Sequence, residues 1–169
     1  MTSPAIRHAT RDDASRICEI YNFAIESRES TCDLEPLTTS TIETWFDGRD
    51  FSTRPIYVAA TDDKVAGYLS VSNFWNDRPG YRVTADCGVY LDPGFQGHGI
   101  GSALLRRFLH DAPTLGIHTI VTSMFADNAA SVALFGKFDF DNVGLCRNVA
   151  NLEGVWKDLA IVQRRVIPA

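Results

Sequence analysis

The stretch PGFQGHGIGSAL, residues 93–104, places glycines at 94, 97, 99 and 101 and then runs directly into an apolar-periodic segment. Glycine adopts positive φ freely and lets a ligand approach the backbone closely, but it carries an entropic cost that an ordinary loop need not bear. A helix start adds unpaired N–H groups and the positive end of the helix dipole. Glycines at the mouth of a helix therefore suggest a cradle for an anion.

Length and composition limit what surrounds that cradle. The chain has 169 residues, 45% of them hydrophobic and 22% charged, which suits one domain over residues 1–169 with a sizeable core. Sixteen basic against 21 acidic side chains give a net charge of −5, with no Lys/Arg-rich run, so neither a global field nor a local patch attracts nucleic acid. Cys18, Cys32, Cys87 and Cys146 lie far apart without a CxxC pair and read as reduced, packed thiols. His110 and His118 lack HExxH spacing, and no metal site is expected. The start, MTSPAIRHATRDD, has no apolar leader core, and no apolar run approaches the ~20 residues of a membrane span, so a cytoplasmic protein without membrane contact is expected.

Helices and strands alternate around the glycine turn. Residues 10–27 read as a helix, with Ile17, Ile20, Tyr21, Ala24 and Ile25 at helical spacing behind a Thr10 cap and Asp13 three residues on. Ser40 and Glu43 suggest a capping box for a short helix over 40–48. Residues 55–60 and 65–71 read as a hairpin turning at 61–64, and a turn-rich segment, FWNDRPGYR, feeds a third strand over 83–91. After the glycines, Ile100, Leu104, Leu105, Phe108 and Leu109 form one helical stripe that Pro113 ends. A strand over 118–125, a helix over 126–138 capped by Asp127 or Asn128, and strands over 143–149 and 155–166 complete the chain. A mixed sheet covered by helices fits this order better than a bundle or a sandwich.

Two familiar phosphate loops fail at the glycine turn. A Walker A loop needs a Lys, and none follows Gly99 or Gly101. A dinucleotide fingerprint needs GxGxxG, whereas Gly97, Gly99 and Gly101 run GxGxG and Ser102 holds the third-glycine place. What remains is Gln96-x-x-Gly99-x-Gly101 after the strand-like VYL. That pattern resembles the pyrophosphate loop of the GNAT superfamily of acyl-CoA-dependent N-acyltransferases, and DNAASVALFGKFDF is similar to the later GNAT segment beside pantetheine. IYNFAIE, EPLT, WF, GYLS, GYRVTADCGVYLDPGFQGHGIGSALL, ADNAAS and VWKDL resemble phosphinothricin N-acetyltransferases and their methionine sulfoximine or sulfone relatives, from Ile6 to about Gln163.

The resemblance implies an α/β fold of the α+β type: a mixed, mostly antiparallel central sheet, helices on both faces, and a strand pair that splays to admit pantetheine. Acetyl-CoA would be the cosubstrate, without a metal, and the partners a small-molecule amine and a second copy of the chain in a homodimer. The pantetheine amides would pair with Val89, Tyr90 and Leu91, and the pyrophosphate loop would comprise Gln96, Gly97, His98, Gly99, Ile100, Gly101 and Ser102. His98 contributes backbone while its side chain faces solvent. Asn128 is a contact to the pantetheine arm, an ordinary helix cap, or both.

Acyl transfer needs a deprotonated amine, a polarised carbonyl and a departing thiolate. A primary ammonium has a reference pKa of ~8 to 10, so a base must sit near the nucleophile, directly or through a water. The resembled enzymes use a Glu in Thr-x-Glu-His-x-Val-Tyr; here Thr84-Ala85-Asp86-Cys87-Gly88-Val89-Tyr90 puts Asp86 at that place. Asp is about 1.5 Å shorter and weakly basic at a reference pKa of ~3.9 unless burial raises it. The other reading of Asp86 is a polar strand residue paired with Arg78 or Arg82, with catalysis by positioning alone.

A backbone N–H of Val89 or Leu91 would polarise the thioester oxygen. Phe135 stands where the superfamily often places a Tyr to protonate the thiolate, and it has no proton to give. For the acceptor, the resemblance points to the loop carrying Trp75, Asn76, Asp77, Arg78 and Tyr81, where Asn76 displaces the relatives' Arg. A small amino-acid-like amine is expected. The alternatives are another amine, such as a polyamine or peptide N-terminus, and a non-catalytic acyl-CoA-binding module.

Overall fold

A computed structural model describes residues 4–61, 64–76 and 78–166. Seven strands form one sheet in the order β1-β2-β3-β4-β5-β7-β6. They are β1 (Ala5–His8), β2 (Ile56–Thr61), β3 (Lys64–Asn73), β4 (Thr84–Leu91), β5 (Thr119–Phe125), β6 (Asp141–Leu152) and β7 (Val155–Arg165). Every neighbouring pair is antiparallel except β4 and β5. The helices are α1 (Ala14–Ser27), α2 (Thr39–Asp47), α3 (Ile100–Asp111) and α4 (Ala129–Gly136).

Period-two alternation gives the sheet two apolar faces, and each face buries different helices. On one side Tyr57, Ala59, Leu69, Val71, Ala85 and Cys87 pack with Ile100, Leu104, Leu105 and Phe108 of α3 and with Phe135 of α4. On the other, Ile56, Val58 and Tyr68 pack with Ile17, Ile20, Ile25 and Ile42 of α1 and α2. Full burial of such a side chain is worth about 1.5–3 kcal/mol, so the expected α3 stripe anchors the helix that follows the glycines. Leu109 of that stripe is only partly buried.

Several expectations change in detail. The strand β1 was not among those read from the sequence, because its four residues carry a single inward apolar side chain, Ile6; pairing with β2 from Ala5↔Ala60 to His8↔Tyr57 creates it. The first helix begins as a 3-10 turn over Arg11–Asp13, where the Asp13 carboxylate accepts from the Thr10 amide at 2.8 Å and from Arg7 at 2.7 and 2.8 Å. Thr38, not Ser40, caps α2: its Oγ1 accepts from the Thr41 amide at 3.3 Å, which starts the helix one residue earlier than expected. Strand β6 extends beyond 143–149 in both directions, paired along β7. The turn expected at 61–64 includes Asp62 and Asp63, which lie outside the described residues. Among the described residues, no helix is long and apolar enough to cross a membrane.

Candidate active site

The parallel pair β4–β5 is registered at only two positions, Thr84↔Thr119 and Ala85↔Ile120. Beyond them the strands part. The Thr122 hydroxyl donates to the Cys87 carbonyl at 2.7 Å, bridging the start of the opening with a side chain where a ladder bond would otherwise lie. Backbone groups along a strand alternate in direction. Cys87 faces the gap, whereas the Asp92 amide, of opposite parity, donates to Ala66 of β3 at 2.9 Å. By that alternation Val89 and Leu91 present their amides and carbonyls to the gap, while those of Tyr90 are taken up by β3. Of the three residues expected to pair along this strand, two therefore offer free backbone groups, and Tyr90 contributes its ring.

At the end of β4 the chain enters the glycine turn. Gly97 and Gly99 both sit at φ +77°, the left-handed region, with open space where a side chain would project. Gly99 is the N-cap of α3 without a capping side chain, and the first α3 ladder bond runs from the Ala103 amide to the Gly99 carbonyl at 3.0 Å. The amides of Ile100, Gly101 and Ser102 thus point out of the helix end without helical partners. A groove of about 390 Å³ runs along this turn, lined by Val89, Leu91, Gln96, Gly97, Gly99, Ile100, Gly101 and Ser102, with Ser27, Ser30 and Asn128 across from them. His98 is exposed and not among the residues lining the groove. The uncapped helix end and glycine turn match a diphosphate, and the open edge of β4 matches an amide-bearing arm.

Asn128 has partners at both ends of its side chain: Oδ1 accepts from the Ser131 amide at 2.9 Å, capping α4, and Nδ2 donates to the Glu29 carbonyl at 2.9 Å. Capping is therefore established for it, and its amide retains one N–H and one lone pair for the groove. Asp127 instead pairs with Lys157 at 2.5 Å.

A second cavity, of about 500 Å³, lies on the α1/α2 side of the sheet. Asp86, Gly88 and Tyr90 of β4, Tyr68, Ser70 and Ser72 of β3, Tyr21, Thr31, Arg49 and Thr122 are among its lining residues. It shares Ser30 and Tyr90 with the groove, so the two spaces meet at the same stretch of β4. A side chain at Gly88 would come within 2.8 Å of the Tyr90 ring, and its absence leaves that ring room to tilt into the junction. Tyr90 packs edge-on against Tyr21 at 5.0 Å and stacks on Tyr68 at 5.2 Å. Tyr21 in turn donates to Asp33 at 2.6 Å; burial and that carboxylate push its phenol up to about 12.

Asp86 projects into this cavity beside Ser72, its register partner on β3. Burial lifts its carboxyl above the ordinary carboxylate range, and the Thr122 hydroxyl and Cys87 amide pull back only part of that rise. No ion pair of Asp86 with Arg78 or Arg82 is found, and Asp86 takes no charge partner among the described residues. A half-buried, raised carboxylate facing a cavity has the character of a general base. Cys87, beside it, is 3% exposed on the opposite face, and burial pushes its thiol far up, which leaves it inert as a nucleophile.

The loop expected to hold the acceptor lies elsewhere. Trp75 is 67% exposed, stacked on Phe74 and edge-on to Tyr81, and Trp75, Asn76, Arg78 and Tyr81 are not among the residues lining either space. Asp77 lies outside the described residues. Phe135 is buried edge-on against Phe140 at 5.0 Å, a core residue rather than a member of the groove. Sequence reading missed Tyr21, Arg49, Tyr68, Ser70, Ser72 and Thr122. A signal existed: Tyr68, Ser70 and Ser72 alternate as the polar half of a strand, on the face that register pairing gives to Asp86.

A glycine turn at an uncapped helix end, a splayed parallel pair and a half-buried carboxylate in the adjoining cavity are the features expected of an acyl-CoA-dependent acyltransferase site. The Acetyltransferase (GNAT) family pattern matches residues 14–140. YwnH of Bacillus subtilis is 38% identical over 162 residues, covering 95% of this chain and 98% of its own. The L-methionine sulfoximine/L-methionine sulfone acetyltransferase of Salmonella typhimurium is 31% identical over 158 residues, 94% of this chain and 92% of its own. A phosphinothricin acetyltransferase of Sinorhizobium meliloti, solved in complex with acetyl-CoA, is 28% identical with a TM-score of 0.91, covering 97% of this chain and 89% of that one. The chain belongs to the GNAT family of acetyltransferases and is an acetyl-CoA-dependent N-acetyltransferase related to the phosphinothricin and methionine sulfoximine enzymes.

Proposed function

We propose that this enzyme acetylates the primary amine of a small amino-acid-like molecule, of the phosphinothricin, methionine sulfoximine or methionine sulfone type, by direct attack within a ternary complex. The observation that carries this reading is the meeting of groove and cavity at Tyr90 and Ser30, with Asp86 on the cavity side. A nucleophile in the cavity then reaches an acyl group in the groove without a covalent enzyme intermediate.

Acetyl-CoA, when bound, supplies the activated acetyl thioester. The uncapped amides of residues 100–102 and the turn at Gly97 and Gly99 hold its diphosphate. Val89 and Leu91 align its arm, and one of their N–H groups faces the thioester oxygen as charge develops there. Asp86 takes the proton of the ammonium, directly or through one water, which offsets its short side chain. The leaving thiol has a reference pKa near ~8.5, and with Phe135 in the core its proton comes from water.

Thiol release measured against a panel of amines tests the reading. Turnover with methionine sulfone or phosphinothricin supports it. Turnover confined to polyamines or peptide N-termini, or tight coenzyme A binding with no turnover of any amine, removes it.

A further inference from the structure

Arg49 is the only positively charged side chain among the described residues lining the Asp86 cavity, and sequence reading gave it no role. It follows α2 and folds back over β3, where Nη1 donates to the carbonyls of Arg54, at 3.1 Å, and Val71, and Nη2 donates to Ser70 Oγ at 3.2 Å. All three partners are neutral. No carboxylate lies within ion-pair distance of it among the described residues, and burial holds its guanidinium below its ordinary pKa.

Five N–H groups make up an arginine fork, and three are accounted for. The two that remain, Nε–H and one on Nη2, belong to neighbouring nitrogens on the planar group, and Nε is buried without a hydrogen-bond partner. The Tyr68 hydroxyl, in the same cavity wall, is also buried and without a partner. A half-buried cation with only neutral partners and a buried, unpaired Nε–H is costly, and so is an unpaired hydroxyl. Both costs fall when an anion enters.

The register sets the partners of Arg49 and Asp86 next to each other on one face of β3. Ser70, which Arg49 bonds, and Ser72, paired with Asp86, are two residues apart on β3, roughly 6.7 Å. An α-amino acid spans about 2.5 Å from its nitrogen to its carboxylate carbon, and a hydrogen bond of about 3 Å at each end brings the total to about 8.5 Å, comparable with that separation. We infer that Arg49 is the anion anchor of the acceptor site, binding the α-carboxylate of the amine substrate with the Tyr68 hydroxyl as a further donor, while Asp86 faces the amino group. This inference rests on the amino-acid-like acceptor proposed above and adds the specificity-determining residue: the enzyme requires a carboxylate next to the amine it acetylates.

The experiment compares L-methionine sulfone with its carboxamide and with 3-(methylsulfonyl)propylamine, which lacks the carboxylate. In the unmodified enzyme kcat/KM for the acid is expected to exceed that for either neutral analogue by about 100-fold. Arg49→Gln is expected to remove that preference through KM for the acid, leaving the analogues within a few-fold and coenzyme A affinity intact, and Arg49→Lys to restore part of it. Equal use of acid and amide by the unmodified enzyme overturns the inference while leaving the amino-acid-like reading standing, and that comparison needs no folded variant. Loss of acid and amide turnover by the same factor in Arg49→Gln, with coenzyme A still bound, overturns it as well. Turnover of polyamines or peptides with all three sulfones inert sinks the amino-acid reading itself.

Discussion

Asp86 shows how a side chain that weakens the fold serves the chemistry. Burial raises its carboxyl, so the folded protein binds that proton more tightly than the unfolded chain does. Stability then falls as pH rises from the unfolded value of ~3.9 through the raised folded one, and the penalty persists at neutral pH. Asp86→Asn is therefore expected to keep or raise the melting temperature at pH 7 while lowering kcat/KM by about 10²-fold or more, measured by calorimetry and thiol release on the same preparation. The acid limb of kcat/KM should lie above the ordinary Asp range in the unmodified enzyme. In the variant the residual rate should instead follow the ionisation of the amine. A variant whose rate and pH profile match those of the unmodified enzyme would take Asp86 out of the reaction. The residue itself was legible from its place in TADCGVY, but its freedom from Arg78 and Arg82 was not, because that depends on where a turn-rich loop directs its side chains. Arg49 was illegible for the same reason: its contact with Ser70 joins residues 21 positions apart.

Elements were readable where one periodicity dominated and unreadable where pairing made them. The α3 stripe and the long apolar strands stood out, whereas β1 exists through its register with β2, and Thr38 outcompetes Ser40 as a cap because its Oγ1 reaches the Thr41 amide. Removing that cap, Thr38→Ala, is expected to cost about 1 kcal/mol, read as a shift in the urea midpoint. At the other end of the sheet Gly99→Val forces a β-branched residue to φ +77° beside the uncapped start of α3. The strain is about 1–3 kcal/mol, and coenzyme A affinity should drop more than tenfold by calorimetric titration; equal affinity would separate the turn from the diphosphate. The Asp13 tie between β1 and α1 titrates in the opposite sense to Asp86. Burial works against it, but Arg7 and the Thr10 amide hold that carboxyl below its ordinary value. Its contribution is present above ~3.9 and is lost as pH falls through the folded value, so the Asp13→Asn protein should lose its extra acid sensitivity between those limits.

For the whole molecule, the resemblance read from the sequence already implied one mixed sheet with helices on both faces, and the observed strand order agrees. The edge strand β6 carries Val143, Leu145 and Val149, and the start of its neighbour β7 carries Val155 and Trp156, all about half exposed. An apolar stripe on an edge strand invites pairing with another chain. The homodimer implied by the family likeness would cover it, and sedimentation should give a dimer that Trp156→Glu weakens; a monomer at all concentrations would reject that arrangement. The wedge between β4 and β5 has a thermodynamic consequence of its own. A sheet joined there by two rungs and one threonine hydroxyl is mechanically incomplete, and whatever lies along Val89 and Leu91 acts as a removable seam. Cosubstrate at 100 times its dissociation constant adds about 2.7 kcal/mol, so heat tolerance becomes a readout of acetyl-CoA supply. A cell starved of acyl donor would hold this enzyme in its more fragile form.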